Sequence, residues 1–266
     1  MELTRRKMLG AVAAGSCLVS SCMREEVKTA ALTTGADAAW PYHELDPERT
    51  ANLAYGYYPE GQCMYAVFRS IVGQLADQYG EPYRSFPYRM MAYGTNGVMG
   101  YGSLCGALNG AAAAISLFEA RKEQRASLTG QVFLWYEQTE LPVYAPATPK
   151  VDMLMPVTVA GSVLCHLSVG NWTKVSVYPA KGKERTERCS RLAADVARQT
   201  VLVLNAHLSG ADALAIFSDK QVSQCNACHG PNGQRKDVAA TMSCGSCHSS
   251  LPDTHPEISS KAPKVL

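Results

Sequence analysis

The segment from Ser223 to Ser250 reads SQCNACHGPNGQRKDVAATMSCGSCHSS, and it decides how the C-terminal part of the chain folds. It contains two Cys-x-x-Cys pairs, Cys225–Cys228 and Cys244–Cys247, which are separated by fifteen residues. Two such pairs can hold one zinc ion through four thiolates. Each pair is also followed directly by a histidine, His229 or His248. The sequence Cys-x-x-Cys-His is the attachment motif of haem c.

The two histidines favour haem over zinc. A four-thiolate zinc site needs no histidine, whereas haem c uses two thioether bonds to the cysteines and takes the next histidine as an iron ligand. The whole chain has only 6 histidines in 266 residues, so chance rarely places one after both pairs. We therefore predict two haem c groups, with His229 and His248 as the proximal iron ligands. A zinc site and disulfides are the alternatives.

The residues between the two motifs are polar and contain Gly230, Pro231 and Gly233. They offer few apolar side chains to bury, so we expect the haems to organise this segment and to lie close together. Residues 214–266 are therefore interpreted as a small, loop-rich dihaem segment.

The remaining histidines are candidates for the distal iron ligands. His207 and His255 are nearest to the motifs in sequence and are favoured, and His166 follows because it adjoins Cys165; His43 is the remaining one. Two histidines on each iron leave no open position, which favours electron transfer over the turnover of a substrate.

The N-terminus has the pattern of an export signal. Residues 2–22 read ELTRRKMLGAVAAGSCLVSSC, in which Arg5 and Arg6 precede a modest apolar stretch, as in twin-arginine signals. Val19 to Cys22 resembles a lipoprotein cleavage box, so Cys22 is a candidate lipid anchor, with simple cleavage as the alternative. We predict a signal at 1–22, a tether at 23–45 and a periplasmic protein. The twin-arginine route carries folded proteins, which indicates a metal centre made before export, and haem c is attached only afterwards.

Helical periodicity dominates residues 46–213, so the fold class is predicted to be mainly α, with a helical cysteine-bearing domain before the dihaem segment. Tyr55–Pro59 is interpreted as a loop. The predicted helices span Met64–Tyr79, residues 105–122, 127–141 and 156–172, and Lys183–His207, the last being the longest. Gly106, Gly110 and Ala114 recur every four residues and predict very close helix packing.

Composition limits the classes of function. Hydrophobic residues make up 47% of the chain, which suits one or two domains with a real core. The formal net charge is +2, and without residues 1–22 the chain has 22 cations and 22 anions. This balance argues against nucleic acid as a partner. No apolar run reaches the ~18 residues of a spanning helix.

Four further cysteines are scattered through the helical region. We predict that they hold an iron–sulfur cluster, because a cluster would account for the twin-arginine route. Two disulfides, which are credible in an exported protein, and free buried thiols are the alternatives. The four residues are Cys63, Cys105, Cys165 and Cys189.

The surroundings of these cysteines resemble a known redox family, named for its pattern Cys, Gly-Cys-Ala-x-x-Gly, Cys, Cys. The matching segments are EGQCMYAVF, GYGSLCGALNGA, LCHLSVGNW and ERCSRL. With both haem motifs added, residues 40 to 255 resemble the split-Soret cytochrome c family. The resemblance implies a periplasmic homodimer with two nearly parallel bis-histidine haems per subunit, one ligand of each coming from the other subunit. It also implies a [2Fe–2S] cluster on Cys63, Cys105, Cys165 and Cys189.

The leading functional hypothesis is an exported dihaem c-type cytochrome with an iron–sulfur cluster that passes electrons in a periplasmic respiratory chain. In this reading it is a carrier rather than an enzyme, and its partners are a second copy and redox proteins. The alternatives are a haem reductase with one open coordination site and a membrane-tethered redox sensor.

Overall fold

Helices account for most of the described chain, as predicted. The computed structural model describes residues 38–210, 219–248 and 255. The predicted export signal, Cys22 and residues 23–37 of the tether lie outside the described residues. The elements are α1 Pro47–Tyr79, 3-10 turns Tyr83–Ser85 and Tyr88–Gly94, α2 Gly106–Phe118, α3 Lys122–Gln138, β1 Glu140–Leu141, β2 Thr158–Val159, α4 Cys165–Val175, α5 Lys183–Leu208 and α6 Lys220–His229.

The core forms mainly between α1 and α5. Helix α1 begins at Asp46, whose side chain accepts hydrogen bonds from the backbone amides of Glu48 (2.8 Å) and Arg49 (3.1 Å). It ends at Gly80, which has a φ of 76°. Helix α5 buries an apolar face against α1 and the neighbouring helices, including the predicted inward residues Leu192, Val196 and Val203. No helix in the described ranges has both the length and the apolar character needed to span a membrane.

The loop predicted at Tyr55–Pro59 is wrong, because α1 continues through it. Pro59 has no amide proton to donate to the carbonyl of Tyr55 one turn earlier. The Lys150 ammonium donates to that carbonyl instead and lies 3.9 Å from the centre of the Tyr55 ring. The helix is interrupted further on, at Gln62, where φ is 63° and ψ is −156°. Cys63 therefore opens a second helical run.

One other helix prediction needs correction. The helix predicted over 156–172 begins only at Cys165, because β2 and an isolated bridge between Leu104 and Leu164 occupy the residues before it. Helix α1 spans 33 residues, but the break at Gln62 divides it into two shorter runs, so α5, with 26 residues, is the longest uninterrupted helix in the described ranges, as predicted.

Residues 38–45, at the end of the predicted tether, pack against the helices. The Trp40 amide donates to the Leu117 carbonyl (2.8 Å), and the Tyr42 hydroxyl donates to the Asn205 side chain (2.7 Å). Leu45 is buried. The described residues from 38 onward belong to one compact unit, and a domain boundary near residue 213 stays a prediction.

The small residues of α2 allow it to approach α1 closely, as the sequence predicts. A Cβ on Gly110 would lie 2.7 Å from the Met64 carbonyl oxygen and 3.0 Å from the Val67 Cβ. A Cβ on Gly106 would lie 2.3 Å from the Gly94 carbonyl oxygen. Any larger side chain would push α2 away from the helical run that Cys63 opens.

We expect Gly110→Ala to lower the free energy of unfolding by about 1–3 kcal/mol, because it overpacks the α1–α2 contact. Gly130→Ala is the matched control, since Gly130 lies inside α3 and a Cβ there would meet nothing within 4 Å. It should raise stability by about 0.5–1 kcal/mol, as alanine is the better helix former. Denaturant titration of both variants measures the difference, and equal effects would contradict the close packing.

Candidate metal centre and haem segment

The four scattered cysteines line one cavity in the interior. Their side chains are buried, and none of them forms a disulfide. Each lies at or near the start of a helical segment, as the sequence indicates: Cys63 follows the break in α1, Cys105 precedes α2, Cys165 begins α4 and Cys189 lies in α5. The other lining residues are Ala107, Tyr136, Ser168, Val169, Arg185, Arg188 and Leu192.

Backbone pairing brings Cys105 and Cys165 together. The Cys105 amide donates to the Val163 carbonyl (2.8 Å), and the Cys165 amide donates to the Ser103 carbonyl (2.7 Å). The loop before Cys105 turns tightly at Gly97, where φ is 67° and a Cβ would lie 2.8 Å from the Cys165 Cβ. Only glycine combines this backbone conformation with so little space.

Burial makes the thiols hard to ionise. Burial first, and then the neighbouring thiols, raise the pKa of Cys63 and of Cys165 to about 12. The pKa of Cys105 is raised by burial too. Without a cation these thiols stay protonated at neutral pH, so a bound metal would displace their protons.

The thiols do not converge on one point. In the described ranges, no three His, Cys, Asp or Glu side chains are placed to hold a single metal ion. A [2Fe–2S] cluster does not require four thiolates to meet at one atom, because each of its two irons binds two of them. Four thiols around one cavity therefore fit a cluster better than a mononuclear site.

Two arginines in the cavity wall supply a second test of this fit. Arg188 is 1% exposed, and the Nε atoms of Arg185 and Arg188 are both buried without a hydrogen-bond partner. A buried cation is costly unless an anion accompanies it. A thiolate-bound cluster is anionic and carries sulfur acceptors, so it would satisfy both arginines.

Sequence reasoning missed these arginines and Tyr136. The Tyr136 hydroxyl donates to the Ser168 Oγ (2.8 Å), also hydrogen-bonds the Cys105 thiol, and is fully buried. A signal for the arginines was present in the spacing, because Arg185 and Cys189 are four residues apart on α5 and so share a helix face. No comparable pattern marks Tyr136.

The first haem motif lies on the short helix α6. Its residues Cys225, Cys228 and His229 fall at positions i, i+3 and i+4, which places them on one face. The His229 Nδ1 lies 2.8 Å from Asp237 Oδ1. This hydrogen bond lowers the pKa of the Asp237 carboxyl, with a smaller effect from Arg235. Holding Nδ1 in this way fixes the ring orientation and leaves Nε2 available to a metal ion.

The second haem motif forms a turn in which the His248 amide donates to the Cys244 carbonyl (3.0 Å). The Cys244 thiol donates to the Met242 carbonyl (3.8 Å) and lies beside the Cys225 thiol, so the two motifs meet at their first cysteines. Burial raises the pKa of the Cys244 thiol, and Cys225 raises it further. The zinc alternative requires the four cysteines of this segment to converge on one point. In the described chain they do not.

The haem segment is attached to the end of α3. The Ser243 amide donates to Glu137 Oε1 (3.2 Å), and the Gln138 side chain donates to Asp219 Oδ2 (3.3 Å). The Ser246 hydroxyl donates to the Gly161 carbonyl. These three hydrogen bonds join the haem segment directly to the helical part of the chain.

The favoured distal candidate, His207, contacts the side chain of Glu119. Its Nε2 lies 2.7 Å from Glu119 Oε2. Arg121 first, and then His207, lower the pKa of the Glu119 carboxyl to about 2, against the opposing effect of burial.

The other candidate histidines are placed differently. The Nδ1 of His166 lies 2.9 Å from the Gly102 carbonyl oxygen, and its ring is exposed. The ring of His255 lies 6.1 Å from that of His229, and the His43 ring stacks on Tyr79 at 3.9 Å.

Known proteins resemble this chain in sequence and fold. The chain is 39% identical over 222 residues to split-Soret cytochrome c of Desulfovibrio desulfuricans (strain ATCC 27774), covering 81% of this chain and 79% of the relative. This chain belongs to the split-Soret cytochrome c family. The model of the family described as "Putative redox-active protein (C_GCAxxG_C_C)" also matches residues 65–202, a region that includes Cys105, Cys165 and Cys189.

A solved structure supports the split-Soret assignment. It is described as "A novel iron centre in the split-Soret cytochrome c from Desulfovibrio desulfuricans ATCC 27774". It aligns with a TM-score of 0.76 and 35% identity, over 86% of this chain and 98% of the solved one. The mainly helical fold is therefore the fold of a split-Soret cytochrome.

Proposed function

We propose that this chain is an electron carrier that binds two haem c groups and one [2Fe–2S] cluster. The observation that carries the proposal is the contact between Cys225 and Cys244, which brings two Cys-x-x-Cys-His motifs together in a member of a cytochrome c family. The relative is named as a cytochrome c, and its solved structure as holding an iron centre. The haems would attach at Cys225/Cys228 and Cys244/Cys247, and the cluster at Cys63, Cys105, Cys165 and Cys189.

The chain's own residues prepare the haem sites. His229 and His248 present ring nitrogens next to their cysteines, and Asp237 orients His229. Each haem iron, when bound, takes up or releases one electron. Attachment of both haems to motifs that touch would hold them close, and short separation favours exchange of an electron between them.

The proposal includes export and dimerisation. Arg5 and Arg6 support the twin-arginine route to the periplasm, and the cluster supplies a reason for that route. The family resemblance supports a homodimer in which each subunit supplies a ligand to the haems of the other.

His166 is the better placed of the distal candidates. Its Nδ1 is held by the Gly102 carbonyl, which leaves Nε2 for iron, and a carbonyl partner of this kind is typical of metal-bound histidines. Its ring is exposed, so a haem of a second subunit can approach. For His207 to bind iron through Nε2, the carboxylate of Glu119, a buried residue, would have to lose that partner. We therefore place His166 ahead of His207 for one haem.

We expect carbon monoxide to bind one haem per chain in His166→Ala. It should bind neither the wild type nor His207→Ala. The reason is that the histidine lost from the iron leaves a vacant sixth position. The measurement is the absorbance spectrum of the reduced protein with and without carbon monoxide. Binding to the wild type would favour the reductase alternative, and binding only in His207→Ala would return the ligand role to His207.

A further inference from the structure

The charges of Arg185 and Arg188 are not balanced by any carboxylate in the described ranges. Arg188 donates through Nη2 to the Ser168 Oγ (2.9 Å) and carbonyl (3.3 Å), and its Nη1 lies 3.9 Å from the Cys189 Sγ. Arg185 donates through Nη1 to the Asn96 side chain (2.6 Å). Every one of these partners is neutral or a thiol.

Each guanidinium has one N–H donor without a hydrogen-bond partner. The Nε atoms of both arginines are buried and unpartnered, and both residues line the cysteine cavity. Arg188 lies against the Cys189 sulfur, and Arg185, one helical turn before Cys189 on the same helix face, lines the same cavity. The two positive charges therefore act on the space between the four sulfurs.

We propose that Arg185 and Arg188 together set the reduction potential of the centre in this cavity. A cluster on four thiolates is already anionic, and uptake of one electron from a ferrous haem, which becomes ferric, adds a negative charge without breaking a bond. Nearby cations stabilise the more negative state, and burial weakens the screening of that attraction. The two arginines thus raise the potential and make the centre an easier electron acceptor. This inference rests on the proposed iron–sulfur centre.

The test compares Arg185→Gln, which removes the charge, with Arg185→Lys, which keeps it. Arg198→Gln is the matched control, because Arg198 lies on the same helix but pairs with Glu48 at 3.1 Å instead of lining the cavity. Each full-length variant is titrated with a reductant while the paramagnetic signal of the reduced cluster is recorded. Haem, non-haem iron and labile sulfide are counted in the same samples.

We expect Arg185→Gln to weaken one-electron uptake at least tenfold, a downward shift of about 59 mV, while the lysine and control variants stay near the wild type. If the glutamine variant fails to hold the cluster while the lysine variant keeps it, the need for a positive charge is equally supported. An unchanged potential in Arg185→Gln, or equal losses of iron in both variants, would overturn the inference and leave the proposed function standing. A wild type without non-haem iron would overturn the cluster proposal and this inference together.

Discussion

Replacement of both Cys225 and Cys228 by alanine is expected to remove one of two covalently bound haems and to leave the other in place. Each pair of cysteines would form its own thioether bonds, so loss of one pair does not release the haem on the other. The intact mass of the denatured protein should fall by about one haem relative to the wild type. The reciprocal variant, with Cys244 and Cys247 replaced, should lose the other haem.

Gln224→Ala is the control, because Gln224 lies on the same helix and belongs to neither motif. It should keep both haems. A four-thiolate zinc site behaves differently, since the loss of either cysteine pair destroys a single shared site. Complete loss of metal in both double variants, with no haem in the wild type, would contradict the haem assignment.

Cys105→Ser is expected to abolish the non-haem iron and acid-labile sulfide of the protein while both haems remain. Serine is nearly the same size as cysteine but supplies no thiolate, the ligand on which iron–sulfur clusters depend. The backbone bond from residue 105 to the Val163 carbonyl does not involve the side chain, so the start of α2 should be preserved. Chemical analysis of iron and sulfide, with haem counted separately, measures the effect.

Val169→Ala is the control for this variant, because Val169 lines the same cavity without offering a ligand atom. It should retain the iron and sulfide. The disulfide alternative predicts a wild type without labile sulfide. After denaturation without reductant, its four buried cysteines would then give no free thiols.

Helical periodicity predicted much of the fold correctly. The helix ending at Gly80 and the amphipathic helix through Cys189 are present, because long apolar stripes of period 3.6 determine which face packs inward. The close approach of α2 was predicted from Gly106 and Gly110, since small residues at that spacing leave room for another backbone. The gathering of the four cysteines around one cavity was predicted from the export signal and then from the family resemblance, because their wide spacing along the chain does not by itself predict contact.

The errors came from interactions between distant parts of the chain. Pro59 reads locally as a breaker, but Lys150, far along the sequence, takes over the carbonyl that the proline leaves without a donor. The break itself comes at Gln62, directly after Gly61 and three residues after Pro59, and not at the proline where a breaker was expected. Arginines on an amphipathic helix ordinarily indicate a solvated face, so the burial of Arg188 emerged only once the cavity was assembled.

The most direct test of the central claim is a count of haem, total iron and labile sulfide in one sample of the full chain purified after export. The account predicts two haems per chain, twice as much iron as haem, and labile sulfide equal to the non-haem iron. Iron equal to haem with no labile sulfide would contradict the iron–sulfur centre, and a zinc-bearing protein without haem would contradict the whole assignment.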